Sequence, residues 1–550
     1  MGSLASTLRA SGVASVTLLL LTFGLASVSQ GQSPPVPSGT PPATPSTATN
    51  AELLREMQQL RKEVEETRKL KDQVQQLQNE LSVLKSAPPA AAPGQPLTAP
   101  NPGLPATSTP AWALPPDGST GEGGPDDDNI PLKASYRYQI GTGALGGGGY
   151  FHVGDANDEF TVNLTNQITV DGTFYDRANE PTSEQGFNIP FARTFIYGNI
   201  TKDWKYQIGT QGFLGTFNLL DLWMSYTLGD WMTIRAGRGL TPPLYEYYAF
   251  SPALEPVITN SPLFQFAAKR PIGVMFTGNI LKNRLQYWAG VTNGMSGGFF
   301  DLDRNAEFNG AVDFTPFKTD AAEKSIFDSL GGGVGFSAGK QQYLLAQNSI
   351  SFQNDGEATT NASYITSTGV PFFTYNPGVR ADGLQTRVAP HIYWYGRFSV
   401  LAEMMNFSRE LAEGTTSGRS TQWSYFVNLS YYLTGERDFS GNGFQGYGTV
   451  EPLRPFLPGR GLYGPGAWQI ATQFAQVNVG NGDFARGFAN PATSASRLDQ
   501  LMVGMNWWPN RYTRLSFDYV WTHFNNGIPI TGPSPISSYN IAWIRFAMFF

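Results

Sequence analysis

The stretch 159–175, EFTVNLTNQITVDGTFY, decides the fold. Phe160, Val162, Leu164, Ile168, Val170 and Phe174 occupy even positions. Thr161, Asn163, Thr165, Gln167, Thr169, Asp171 and Thr173 occupy the odd ones. Successive side chains of a strand point to opposite sides, so this strand has one apolar face and one unbroken polar face. A sandwich core has no use for a polar inner face. A membrane barrel has, because its outer face meets lipid and its inner face a water-filled lumen.

The alternation recurs downstream. Trp204, Tyr206 and Ile208 oppose Lys205, Gln207 and Gln211. Trp423, Tyr425, Val427, Leu429, Tyr431 and Leu433 oppose Gln422, Ser424, Asn428, Ser430 and Thr434. Leu515, Phe517, Tyr519 and Trp521 oppose Arg514, Ser516, Asp518 and Thr522. Tyr and Trp gather near strand ends, where interface girdles belong. Ala542, Ile544, Phe546, Met548 and Phe550 alternate to the last residue, and Phe550 is read as a barrel-assembly signal. The expected fold is all-β, a transmembrane antiparallel barrel over 132–550. At roughly 25 residues per strand and loop, about 16 strands fit, enough to leave an aqueous channel.

Composition agrees. Charged residues make up 15%, against ~25% in soluble domains, and Gly is abundant at 61. The absence of Cys excludes disulfides, thiolate metal sites and cysteine nucleophiles. Mean hydropathy is −0.24, and no apolar run of ~18 residues follows the first 30 positions, which argues against spanning helices. Only His152, His391 and His523 are available as bases near neutral pH. No GxSxG elbow, phosphate loop or His-rich spacing occurs, and GALGGGG at 143–149 reads as a flexible approach to the first strand. No enzyme, cofactor, metal site or nucleic-acid partner is expected.

The N-terminal part has a different texture. Arg9 precedes an apolar stretch from Val13 to Val28, and Ser29-Gln30-Gly31 resembles a cleavage site. Residues 1–31 read as a secretory signal, with a single membrane anchor as the alternative. Residues 32–50 and 86–131 hold 18 of the 39 prolines and read as extended linkers. Between them, in 51–85, Leu53, Met57, Leu60, Val64, Thr67, Leu70, Val74, Leu77, Leu81 and Leu84 form a heptad seam. One stammer at Val64–Thr67–Leu70 interrupts it. The segment is expected to be a coiled coil that self-associates, with a docked amphipathic helix as the alternative. Its place is the periplasm, because it precedes the first strand.

Several segments together resemble the phosphate-selective porin O/P family. They are LLDLWMSYTL with MTIRAGRGLTPP in 219–243, AAKRPIGVMF (267–276), GVTNG (290–294), YYLTGERDF (431–439), GAWQIATQFAQVNV (466–479) and VGMNWWPNRYTRLSFDY (503–519). The resemblance implies an outer-membrane trimer of sixteen-strand barrels, an inward-folded loop and basic lumen residues that guide anions such as phosphate. The pore-lining candidates, each opposite an apolar outward face in its strand, are Lys205, Arg235, Arg284, Arg397, Arg514 and Arg545, with Arg193, Arg238 and Lys269-Arg270 less securely oriented.

The constricting loop is expected in TPPLYEYYAFSPALEPVITNSPLFQFA, 241–267, running on to Lys269 and Arg270. It carries Tyr245, Glu246 and Glu255 and no Lys or Arg of its own. Gln473 stands where the family commonly has Arg. Each lumen arginine is alternatively a partner for a neighbouring carboxylate such as Asp221, Asp313, Glu403 or Asp518. Tyr245, Tyr247, Tyr248 and Phe250 are expected to pack the loop, although a sugar channel would use them as binding surfaces.

The function expected is passive diffusion of small hydrophilic solutes or ions through a homotrimer in outer-membrane lipid. The rival is a structural protein whose barrel anchors a coiled-coil tether to the cell wall.

Overall fold

The computed structural model describes residues 131–140, 147–175, 186–213, 216–294, 303–319, 325–348, 362–438, 446–530 and 535–550. The predicted signal peptide, both linkers and the coiled coil lie outside the described residues, apart from the end of the second linker.

Sixteen antiparallel strands close into a barrel. In chain order they are β3 (Thr161–Tyr175), β4 (Gly186–Asn199), β5 (Trp204–Phe213), β6 (Thr216–Gly229), β7 (Met232–Arg238), β8 (Ile272–Ile280), β9 (Leu285–Thr292), β10 (Glu307–Phe314) and β11 (Leu330–Leu344). They continue as β14 (Arg380–Trp394), β15 (Phe398–Glu413), β16 (Thr416–Tyr432), β19 (Ala467–Val479), β20 (Arg497–Asn510), β21 (Thr513–Ile528) and β22 (Ile536–Phe549). Each pairs with the next, and β22 pairs with β3 from Ile541↔Tyr175 to Phe549↔Gln167. Closure matters physically, because an unpaired backbone edge in lipid costs several kcal/mol per group.

A hairpin of β1 (Lys133–Ile140) and β2 (Gly147–Gly154) extends this seam. β2 takes the first residues of β3, from Phe151↔Leu164 to Gly154↔Thr161, on the same edge that β22 occupies further along. Phe550 sits where the two meet and exchanges backbone hydrogen bonds with Asn166. Gly147, Gly148 and Gly149, read from the sequence as a flexible approach, belong to strand β2.

The alternation of 159–175 appears as a burial pattern. Every odd residue from Thr161 to Thr173 is buried, whereas Leu164, Ile168, Val170 and Phe174 are 36–43% exposed. The outer face continues through Met505, Phe517, Ile544 and Phe546, all exposed. An apolar belt of this kind is stable only against hydrocarbon. Aromatic pairs lie at its short-turn end, Trp204 with Tyr226 (5.0 Å between centroids) and Trp468 with Trp507 (5.7 Å).

Inside, the polar wall is covered rather than bare. The connection from Gly239 to Pro271 after β7 enters the lumen and carries the short helix α1 (Tyr245–Tyr248) and two 3-10 turns. The β12–β13 hairpin (Ser363–Ile365 and Pro371–Thr374) packs against it, Phe266 meeting Tyr364 at 5.2 Å. The connection around α2 (Gly482–Ala485) joins that hairpin through a Tyr375–Ala489 bridge. From the opposite end, the connection between β16 and β19 sends residues 446–450 inward, all buried. That connection also holds the small β17–β18 ladder (Phe456–Leu457 with Leu462–Tyr463).

Candidate pore constriction

The loop after β7 is shaped by its own composition. Prolines and aromatics leave little regular structure, so its backbone groups need partners from the wall. The wall supplies them. Glu403 on β15 accepts the amides of Tyr245 (2.6 Å) and Glu246 (3.0 Å). Asp518 on β21 accepts the Ile258 amide at 2.6 Å, and Asn506 Nδ2 donates to the Pro256 carbonyl at 2.6 Å. Ser251 Oγ donates to Gln167 Oε1 at 3.0 Å.

The arginines do the same. Arg514 donates to the carbonyls of Glu255 (2.8 Å) and Ala253 (2.7 Å). Arg545 forks onto Asp171, with both N–H···O distances 2.7 Å, and reaches the Ile258 carbonyl. Arg270 pairs with Asp221 at 3.2 Å and stands 5.7 Å from the Tyr247 ring. Arg238 donates to the Arg270 carbonyl at 2.7 Å. Close approach is built into the strands too: a Cβ at Gly335 on β11 would lie 1.8 Å from the Pro243 carbonyl oxygen. A glycine within a strand often marks such a contact.

The aromatics pack. Tyr245 stacks on His391 (4.2 Å) and Tyr393 (5.1 Å) of β14, while His391 and Tyr393 both bond Asp313. Phe250 meets Tyr447 of the opposite insertion edge-on at 5.1 Å, and Tyr447 meets Tyr395 at 5.2 Å. Tyr245, Tyr247, Tyr248 and Phe250 are at most 2% exposed, so they form a core between loop and wall.

Two loop carboxyls face each other. Glu246 accepts from Ser261 N (2.6 Å) and Oγ (2.5 Å), and Glu255 accepts from Asn260 Nδ2. Burial pushes the Glu246 carboxyl up to about 7 against the opposing Ser261 bonds. Glu255 is pushed well above the usual carboxylate range, first by burial and then by the charge of Glu246.

The residues singled out from the sequence separate into four places. Arg514 and Arg545 lie on the inner face and grip the loop. Arg235 also reaches it, donating to the Leu240 carbonyl at 2.5 Å beside Trp223 and Trp288. Lys269 and Arg270 are buried at the loop's end, Lys269 at φ 64°. Lys205 is exposed near the short-turn end of β5. Arg284 and Arg397 lie in turns, not within strands as the alternation implied. Arg284 caps the Lys318 carbonyl (3.0 Å), and Arg397 bonds the Tyr432 and Leu433 carbonyls over the Tyr431 ring.

The carboxylates weighed as arginine partners act differently from one another. Asp221 pairs with Arg270 and Asp313 with His391, while Glu403 and Asp518 bind loop amides. Sequence reasoning missed Asp171 as the partner of Arg545, the buried Arg387–Glu307 pair at 2.5 Å, and the 446–450 insertion. The inward Gly335 was a legible sign that backbone crosses that wall.

A closed barrel of sixteen strands, apolar outside and polar inside, with the loop after its fifth strand folded inward, defines an outer-membrane channel protein. The family profile "phosphate-selective porin O and P" matches residues 160–533, and the chain belongs to that family. No curated protein matches. Solved structures similar to the chain include the outer-membrane channel DcaP of Acinetobacter baumannii, at 10% identity and TM-score 0.43, covering 71% of this chain and 97% of that one. The anion-selective porin from Comamonas acidovorans is 11% identical at TM-score 0.42, covering 71% and 100%. OmpT of Vibrio cholerae in its trimer form is 9% identical at TM-score 0.39, covering 72% and 100%.

Proposed function

We propose that the protein carries small hydrophilic solutes across the outer membrane by passive diffusion, as a trimer, with little preference for charge. The observation that carries this reading is the state of the inner-face arginines. Arg514, Arg545, Arg270 and Arg238 each hold a loop carbonyl or a carboxylate. The Arg545–Asp171 and Arg270–Asp221 pairs are neutral as units and add little to the field that would concentrate anions in a lumen. The barrel region as a whole is close to neutral. Trimerisation follows from two features: a ring of three barrels hides lateral faces, and the heptad segment has a seam for self-association.

A second reading, anion selectivity of the kind in the family's name, is favoured by one observation. Arg514 keeps its Nε–H buried with no partner among the described residues. Reconstitution in a planar bilayer under a KCl gradient separates the readings. The expected result is conductance in steps of three with a zero-current potential near zero. A strongly anion-directed potential would replace the leading reading with the second. Absence of conductance would remove both and leave the tether.

A further inference from the structure

The connection between β16 and β19 turns two ways. Residues 446–450 enter the lumen, whereas LRPFLPGRGLYG, 453–464, folds back on itself as the β17–β18 ribbon. Its prolines and glycines set a tight turn, with Pro458–Arg460 in a 3-10 turn and Gly461 left-handed at φ 71°. The ribbon lies on the outer side of the wall. Phe456 meets Trp507 of β20 at 5.9 Å, and Trp507 shares its face of the strand with the exposed Val503 and Met505. Trp507 stacks on Trp468 in the aromatic girdle, and both indole N–H groups donate to the Pro465 carbonyl, at 2.9 and 3.0 Å. The base is fixed as well. Gly464 N donates to the Pro455 carbonyl and Gly466 N to the Arg454 carbonyl, both at 3.0 Å, and Leu453 N donates to the buried Glu436 at 2.9 Å.

What the ribbon shows to its surroundings is apolar and basic. Leu453, Leu462 and Tyr463 are 69, 45 and 75% exposed. Exposed apolar side chains grouped in this way mark a surface that meets a partner. Arg454 and Arg460 are exposed beside them, and their guanidinia have no partner among the described residues. The acids of the same connection are engaged elsewhere. Glu436 and Asp438 are buried, Asp438 accepting from Ser399 Oγ and the Tyr432 hydroxyl. Glu451 pairs with Arg511 at 3.4 Å.

We propose that this ribbon is a docking site for the headgroups of anionic phospholipids in the leaflet at the short-turn end of the barrel. Two observations choose this occupant. The ribbon continues the apolar belt at the level of its girdle, so lipid already borders it. Its two free positive charges complement a phosphodiester bearing a net negative charge. Leu453, Leu462 and Tyr463 enter the interface, and Arg454 and Arg460 extend their heads to the phosphates. The proposal rests on the barrel fold alone and is independent of what the lumen carries.

The chain has no Cys, so Gly459→Cys at the exposed tip accepts a single fluorophore. A Cβ there meets nothing within 4 Å. The labelled full-length protein is reconstituted in phosphatidylcholine vesicles. Quenching is titrated with nitroxide-labelled phosphatidylglycerol and, separately, with nitroxide-labelled phosphatidylcholine. Phosphatidylglycerol should quench at about fivefold lower mole fraction at low salt, the factor that one surface guanidinium supplies. The preference should shrink as salt is raised, and Arg454→Gln with Arg460→Gln should bring the two curves together. Equal quenching by the two lipids, a preference indifferent to salt, or one retained in the double variant would overturn the proposal. Quenching by neither lipid would place the ribbon away from the bilayer and overturn it too. The salt series uses the intact arginines, so a double variant that fails to fold leaves the test standing.

Discussion

Asp171 and Arg545 meet across the pair of strands that closes the barrel, and both are at most 2% exposed. A buried pair of this kind contributes little against a well-packed apolar substitute, but removing one partner strands a charge. Arg545→Gln should therefore destabilise the barrel by about 3–5 kcal/mol, and adding Asp171→Asn should recover a large part of it. Chemical denaturation of the two single variants and the double variant measures the coupling.

The loop carboxyls make a second claim at this scale. A carboxyl raised to about 7 on folding holds a proton that the unfolded chain releases above its ordinary value of 4.5. Stability is then fully present below that value and is lost as pH rises through 7. Stability should fall from pH 5 to pH 8 by on the order of 1–3 kcal/mol, read as a lower melting temperature at pH 8. Glu246→Gln should reduce that slope without removing it, because burial also raises Glu255, and an unchanged slope in the variant would place the titration elsewhere.

Among the elements, the two insertions differ in how they are held. The loop after β7 is bound by carboxylates, guanidinia and carboxamides on six strands of the wall, counting β3, β6, β15, β20, β21 and β22. The 446–450 segment is held chiefly by packing, Tyr447 between Phe250 and Tyr395, with Thr449 accepting from the Tyr138 hydroxyl at 3.3 Å. Packed aromatics part at lower cost than buried ion pairs do. Replacing 446–450 by an equal length of Gly and Ser should raise single-channel conductance several-fold and leave the barrel's heat resistance intact. An unchanged conductance would mean that this segment does not limit flow.

At the scale of the whole molecule, the barrel and the N-terminal extension make separable claims. Deleting residues 32–131 should leave conductance per barrel unchanged, because the ring closes entirely within β3–β22. The same deletion should weaken trimers in chemical cross-linking if the heptad seam knits three chains, and should abolish any attachment to cell wall. Loss of conductance on deletion would mean that the extension takes part in the pore.

The sequence by itself determined the barrel. Period-2 alternation is local, since each residue's side follows from its neighbour's, and Thr161–Thr173 against Leu164–Phe174 needs no partner to be read. Strand number followed from length, and the constricting loop from the family resemblance, which implies one, and the long stretch 241–267 that could supply it. Only the tertiary structure decided what the polar face does. Whether Arg545 meets water, a solute or Asp171 depends on register between the first and last strands of the ring, far apart in the chain. Whether Glu403 and Asp518 line a pore or bind loop amides depends on where 241–267 lands. The turns that hold Arg284 and Arg397 shift by a few residues what alternation assigns to strands. The 446–450 insertion left no periodic trace, because packing through long-range aromatic contacts has none.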